Sequence, residues 1–547
     1  MSILGTFDSI KWLTVFEMLL CLLNLVVFVW YAIPIKKYYR WLDFLPSLAV
    51  IIAIINIIYG DTSYLAIVLY LLTVIVFLRT VKKVFKPSYS ILVPKHRILL
   101  CTCGVIPIIL VLMLAGETRY NPISNLSNMS YSQAFVEMNK RLSIEYPFGD
   151  WKKINWDELK NKYEPIFQKA EQDKDKDLYY KTLREYVSSI PDGHVALRNM
   201  QQLKKEFGGG FGIRAIRLDN GRILVNSVIK DSPADRNGLR IGAELLTWDQ
   251  KDGKEAFNNT NCNLTSAATD HAKFYAQGIF MVRAPIGKEI LVEFKNIDEK
   301  EVKKVVLTAY DDEFQTLKRP SGSKEPIEGK LLDSGYAYVK ISSFPMAFFS
   351  RPEKVLEEKL KLFQDSQVKG LIIDLRDNKG GEDSLVAKMA GYFVKEERLY
   401  EYSSYYNRFT KKFEINNNEV RKIKPAKPYY GGKIAILINS QTASSGEGLP
   451  LVLKGLPNVK IIGFTATNGS FGMVTSPIEI KMPEGFTISL PDGRSLNKDK
   501  VIQVDSDHTG QGGIAPDIKI QLDEETFRKK YINGQDVELN YAIETLK

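Results

Sequence analysis

Hydrophobic positions cluster first at the front of the chain, in four stretches: Trp12 to Ile33, Phe44 to Tyr59, Tyr64 to Leu78 and Ile98 to Gly116. A bilayer core of about 30 Å takes about 20 apolar residues per helix. The first and fourth stretches reach that length, and the second and third approach it with their flanks, so the pattern predicts a four-helix transmembrane region over residues 1–116. Basic residues follow the first stretch (Lys36, Lys37, Arg40) and the third (Arg79, Lys82, Lys83, Lys86, Lys95, Arg97). Lys and Arg in short loops stay on the cytoplasmic side. A multi-pass cell-membrane protein is therefore expected, with everything from about Glu117 onward extracytoplasmic and the lipid bilayer as a partner.

The pattern then changes three times. Apolar positions three and four apart, in Tyr131 to Met138 and Tyr179 to Val187, predict a helical lead-in over 117–200. It ends at the turn Pro191-Asp192-Gly193-His194. From Gly208 the alternation has period two, in Gly212 to Leu218, Ile223 to Val228, Ile290 to Phe294 and Val302 to Leu307, which predicts a compact β-rich module over 201–312. After a polar linker, Arg319 to Pro326, strands alternate with helices: Ala337 to Ile341, Lys354 to Phe363, Gly370 to Leu375. A mixed α/β core over 325–547 is expected. The predicted fold class is thus multi-domain, a transmembrane region followed by an α+β and α/β ectodomain.

Composition agrees with several globular units: 547 residues, 45% hydrophobic and 25% charged. The net charge of +10 raises the question of nucleic acid. Residues 1–116, however, hold ten Lys/Arg against four acids, and the long remainder is nearly balanced, so no nucleic-acid partner is expected. Of the four cysteines, Cys21, Cys101 and Cys103 lie in the apolar front and Cys262 stands apart, which leaves no disulfide framework and no thiolate zinc site. No cluster of His/Glu ligands and no phosphate loop is present, so neither a metal nor an organic cofactor is implied.

Three motifs remain. Gly208-Gly209-Gly210-Phe211-Gly212-Ile213 is a glycine-rich turn ahead of a strand, where backbone N–H groups can hold a terminal carboxylate and the strand edge can accept a peptide. Gly210, Phe211, Gly212 and Ile213 are its candidate peptide-binding residues. The run from Ser232 to Gly253, SPADRNGLRIGAELLTWDQKDG, resembles the helix-and-turn signature of PDZ domains. Next, the apolar strand from Gly370 runs into Arg376-Asp377-Asn378-Lys379-Gly380-Gly381, whose paired glycines can turn N–H groups toward a developing oxyanion. Last, Ile436 to Asn439 leads through small residues to Ser444-Ser445-Gly446-Glu447 at the start of a helix. Ser444 and Glu447 have the spacing of a capping box, and a serine there is also placed for nucleophilic attack.

Together these motifs resemble the C-terminal processing peptidase and tricorn-type family of serine peptidases, over roughly residues 120–545, including Tyr336 to Phe344 and the closing Gly513-Ile514-Ala515-Pro516-Asp517. The resemblance implies polypeptide substrates, Ser444 as nucleophile, and an oxyanion hole from the Ser445 N–H and the Gly380/Gly381 turn. Serine–lysine members carry a lysine about 25 residues after the serine, but here the turn Gly463 to Gly472 contains none. The tricorn-like branch uses a histidine in an Asp-x-His turn, which matches Asp192-Gly193-His194. His96, His271 and His508 have no comparable motif. That branch also carries a glutamate before the closing Gly-Ile-x-Pro-Asp, absent here; Asp507 is preferred as the residue orienting His194, with Asp505 and Gln511 as alternatives. The absent lysine and glutamate leave one rival reading, a catalytically inactive peptide-binding scaffold.

Overall fold

A computed structural model describes residues 124–547, apart from 261–265, 318–324, 346–350, 408–409 and 476. Strands Leu371–Asp374 and Ile434–Leu437 are buried at every position, as central strands of a parallel sheet covered on both faces must be. They lie in a six-stranded sheet in the order Ile327–Leu331, Ala337–Ile341, Leu371–Asp374, Ile434–Leu437, Val459–Gly463, Ile518–Lys519. The first pair is antiparallel and the rest are parallel. Alternate side chains feed opposite cores. Ile373, Ile434, Ile436 and Ile461 pack with Leu356 and Leu360 of helix Pro352–Asp365 and with Leu385 and Met389 of helix Asp383–Ala390. Ile372, Ala435, Leu437 and Ile462 pack with Val537, Ala542 and Leu546 of the final helix, Val537–Leu546.

The lead-in helices Tyr131–Glu145, Trp156–Gln172 and Lys176–Ser188 start at Ser130, Asn155 and Asp175, each of whose side chains accepts an N–H of the first turn. Their core is completed from the far end of the chain. Ile478, Ile480, Met482, Phe486, Ile488 and Leu490, on the hairpin Ile478–Lys481/Thr487–Leu490, pack among Phe135, Phe167, Tyr179 and Tyr186. Strand Ala196–Arg198, just after the turn of His194, pairs with that hairpin.

The β-rich module has its own core, including Phe211, Ile213, Val225, Leu245, Trp248, Val292 and Phe294. Its sheet runs Lys303–Thr308, Glu289–Lys295, Glu244–Trp248, Ile223–Val228, Ile213–Arg217, which puts Ile213–Arg217 at an edge. Helix Asp270–Phe280 covers this edge so closely that a Cβ on Gly278 would lie 2.2 Å from the Ala215 carbonyl oxygen.

The fold class is accordingly corrected to a mixed α/β fold. Among the described residues no helix is long and apolar enough to cross a membrane. The expected four-helix transmembrane region, multi-pass cell-membrane localisation and bilayer partner are therefore withdrawn; the stretches between Trp12 and Gly116 that suggested them lie outside the described residues.

Candidate active site

In an open parallel sheet, ligand sites form beyond the carboxyl ends of the strands. Three adjacent strands here deliver the three candidate segments. Leu371–Asp374 leads to Gly380-Gly381, Ile434–Leu437 to Ser444, and Val459–Gly463 to the turn Thr467–Ser470.

Ser444 has φ +54°, in the left-handed region that costs a non-glycine residue roughly 1–2 kcal/mol. Two contacts hold it there: its N–H faces the Ser470 carbonyl at 3.0 Å and Glu447 Oε2 at 3.2 Å. The Glu447 half of the capping box therefore forms. The serine half does not: the cap position is Ala443, Ser444 is the first residue of the helix, and among the described residues its hydroxyl accepts no first-turn N–H. Glu447 is fully buried; it also accepts the N–H groups of Gly469 at 2.8 Å and Ser470 at 3.1 Å and the Thr467 hydroxyl. Burial pushes its carboxyl up to about 7 against these bonds.

The Gly380-Gly381 turn abuts this segment. A Cβ on Gly380 (φ +95°) would fall 2.7 Å from the Ser445 nitrogen and 2.8 Å from Ser444 Cβ. Gly381 (φ +138°) admits no side chain either, because a Cβ would meet the Phe344 carbonyl oxygen at 1.9 Å. The two glycines differ as donors. The Gly380 N–H donates to Asn378 Oδ1 at 2.8 Å, which corrects its expected role as an oxyanion donor. Among the described residues the N–H groups of Ser445 and Gly381 have no acceptor, while the Ser445 hydroxyl donates to the Gly381 carbonyl at 2.8 Å.

His194 arrives from the lead-in. The Gly193 N–H donates to Ser470 Oγ at 3.0 Å, and a Cβ on Gly193 would lie 2.4 Å from that oxygen. Ser470 thus touches both sides: its carbonyl takes the Ser444 N–H and its hydroxyl takes the Gly193 N–H. The imidazole is 14% exposed, and among the described residues its buried Nδ1 has no hydrogen-bond partner; Asp192 Oδ1 lies 3.7 Å away. Asp192 is fully buried, accepting the His194 N–H at 2.8 Å and the Tyr146 hydroxyl at 2.8 Å. Burial opposes charge on His194, but Asp192, then Asp505 and Glu447, outweigh it and hold the imidazole above its ordinary value. Burial likewise opposes charge on Asp192, yet the His194 contact and Lys152 hold it down at about 2.

The preference for Asp507 is corrected. Its Oδ1 accepts the Thr509 N–H and hydroxyl and the Gln511 N–H within its own turn, and none of these bonds goes to the histidine. Gln511 closes that same turn, its carbonyl accepting the Asp507 N–H at 2.9 Å. Asp505, two residues earlier, points inward: it is buried, ion-paired with Lys152 at 2.7 Å and bonded by the Phe471 N–H at 2.8 Å. The peptide-binding expectation for Gly210 to Ile213 is corrected as well. Gly209-Gly210 is paired on both sides, with Arg283-Ala284 and Tyr310-Asp311, Phe211 and Ile213 are core residues, and Gly278 fills the strand edge.

Two features had no readable motif. Lys152 sits in an unremarkable Trp-Lys-Lys run, and only its long-range partners give it away. His271 heads the helix over the module's edge, and its Nε2 lies 2.6 Å from the Thr467 carbonyl, so the module touches the turn that Glu447 holds.

Known proteins resemble this chain in sequence and in fold. Residues 335–520 match the family model described as Peptidase family S41. The carboxy-terminal processing protease CtpA of Bacillus subtilis (strain 168) is 24% identical over 376 residues, 67% of this chain and 69% of that one. The nisin-resistance protein of Lactococcus lactis subsp. lactis is 30% identical over 127 residues, 22% of this chain and 38% of that one. A solved structure of mature CPAF complexed with lactacystin shares the fold, with a TM-score of 0.56 at 13% identity, covering 76% of this chain and 97% of that one. The chain carries a peptidase S41 domain, homologous to carboxy-terminal processing proteases, and is a serine-type peptidase.

Proposed function

Taking the S41 domain as premise, we propose that the protein is an active endopeptidase that works through a Ser444 acyl-enzyme with His194 as general base. The observation that carries this reading is Ser470, which ties the Ser444 turn to the Gly193-His194 turn from opposite sides. With Nδ1 facing Asp192, Nε2 is the nitrogen left for the Ser444 hydroxyl. Asp192 replaces Asp507 as the carboxylate that orients the ring. Hydrogen bonds of this kind tighten when substrate is bound.

In the proposed reaction Ser444 Oγ attacks the scissile carbonyl as His194 takes its proton. The tetrahedral oxyanion is received by the Ser445 and Gly381 N–H groups, and His194 returns the proton to the leaving amine. Water, deprotonated by the same imidazole, then releases the acyl group. The β-rich module is read as PDZ-like, acting on polypeptide substrates only once helix Asp270–Phe280 leaves the edge of Ile213–Arg217. Nothing observed favours the inactive scaffold.

The test uses the purified full-length chain with a fluorophosphonate and an unfolded protein substrate, beside Ser444→Ala and His194→Ala. Labelling and cleavage should vanish in Ser444→Ala and fall by at least about 100-fold in His194→Ala. Because the carboxylates hold His194 above its ordinary value, the rate should rise with pH through a midpoint above about 6.5. An unlabelled wild type, or cleavage that survives Ser444→Ala, sinks the proposal.

A further inference from the structure

Lys152 enters the site in the turn after helix Tyr131–Glu145, with its side chain 0% exposed. A buried ammonium persists only where its protons are all taken. Its Nζ donates to Asp505 Oδ1, to the Ser506 carbonyl and to Ser506 Oγ, each at 2.7 Å. Those two residues in turn grip the rest of the site. Asp505 Oδ2 accepts the Phe471 N–H at 2.8 Å, the Ser506 N–H donates to the Gly469 carbonyl at 3.0 Å, and Ser506 Oγ reaches the Pro191 carbonyl at 3.5 Å. Gly469 and Phe471 bracket Ser470, which holds both Ser444 and Gly193; Pro191 opens the turn of His194. One ammonium thus stands where the nucleophile's turn, the histidine's turn and the 505–506 segment meet, and none of its bonds goes to Ser444 or His194 themselves.

We propose that Lys152 is a positioning residue of the hydrolytic site, fixing Ser444 and His194 relative to each other through Asp505 and Ser506. The proposal rests on the Ser444 and His194 reading above. It gives a job to a lysine where the serine–lysine arrangement has none to offer: the cation comes from the lead-in and acts on the Gly463–Gly472 turn only through Asp505 and Ser506, as a brace rather than a base.

Its charge has a consequence of its own. The groups facing His194 are Asp192 from its own turn, with the Tyr146 hydroxyl behind it, Asp505 from the segment before Gly513, Glu447 from the nucleophile's turn, and Asp383 at the head of helix Asp383–Ala390. Lys152 is the cation that offsets Asp192 and Asp505. Without it the buried cluster takes up a further proton near neutrality, shared among coupled groups. That proton must leave before the site works.

The experiment measures kinact and KI for the fluorophosphonate across pH on the full chain, for wild type, Lys152→Met and Lys152→Met/Asp505→Asn, with folding followed by circular dichroism. Lys152→Met should lower kinact roughly 100-fold, the loss that follows about 1 Å of misplacement, with KI within about threefold of wild type. Its acid limb should move up by about one pH unit. The double variant removes the unpaired carboxylate, so its limb should return to the wild-type position while kinact stays low. A folded Lys152→Met with wild-type kinact and an unmoved limb overturns the proposal. If Lys152→Met does not fold, the double variant decides: wild-type kinact in it overturns the proposal, and a low kinact with an unmoved limb supports it. A wild type that does not label at Ser444 instead overturns the reading on which the proposal stands.

Discussion

At the residue scale the site turns on a carboxyl group that the sequence offers as an ordinary capping partner. Among the described residues Glu447 has no charge partner at bonding distance, yet it receives the N–H groups of Ser444, Gly469 and Ser470 and the Thr467 hydroxyl. All four are donors, so Glu447→Gln sets an NH2 against at least one pair of them. Leaving buried donors unmet costs about 1–3 kcal/mol each. The variant should therefore lose about 2–3 kcal/mol in denaturant unfolding and label slowly, because Ser444 is no longer held in its left-handed conformation. The pH dependence has a definite sign. Glu447 is raised to about 7 in the folded protein, against an unfolded value near 4.3. The folded state therefore binds the proton more tightly, and this contribution is full below about pH 4 and lost as pH rises through about 7. Asp505, pushed up to about 6 mainly by burial, and His194, also raised, act in the same direction. Wild-type stability should fall between pH 5 and pH 8, by on the order of 3 kcal/mol from Glu447 alone. Glu447→Gln should show a shallower fall; an equal slope in both proteins would remove Glu447 as its source.

At the element scale, what was legible in the sequence was local. Strands Ala337–Ile341, Leu371–Asp374 and Ile223–Val228 lie where the apolar runs put them, and Ser444 and the Gly380-Gly381 turn stand at strand ends because a strand, a small-residue turn and a helix follow one another directly in the chain. The failures are questions of direction and distance. Asp505 and Asp507 are indistinguishable as letters two apart, and only the packing of Ser506 against Gly512 and Lys152 turns one inward and leaves the other in its own loop. The glycine-rich turn reads as an open edge because nothing nearby in sequence announces that Gly278, more than sixty residues on, closes it. The same helix makes a contact that can be tested. Its N-cap Thr269 donates to the Asn468 carbonyl at 3.1 Å, and His271 donates to the Thr467 carbonyl at 2.6 Å. Burial holds His271 below its ordinary value, so it is a neutral donor at pH 7. His271→Ala should remove about 1 kcal/mol of this docking and slow labelling of Ser444 several-fold while leaving the module's own core folded. Unchanged labelling would make the helix a bystander.

At the scale of the whole molecule, the site is divided between parts that share a buried core. His194 and Lys152 come from the lead-in, whereas Ser444, Ser470 and Asp505 come from the S41 region, and the S41 region also lends the lead-in a wall of its core. Ile480 is 0% exposed on the hairpin Ile478–Lys481/Thr487–Leu490 and packs in the cluster of Phe135, Tyr179 and Tyr186. Cutting it to alanine should cost about 2–5 kcal/mol. The cost should fall on the lead-in as much as on the sheet: Trp151 and Trp156, packed against this cluster, should report unfolding at the same lowered denaturant midpoint as loss of Ser444 labelling. The β-rich module, with its separate core around Trp248 and Phe294, should keep a midpoint of its own. If Ile480→Ala separates the tryptophan signal from the loss of labelling, the lead-in folds independently and the shared core is not what holds His194 to Ser444. A single shifted transition means that any substitution in this buried hairpin reaches catalysis through the placement of the histidine, though the hairpin itself contributes no group to the chemistry.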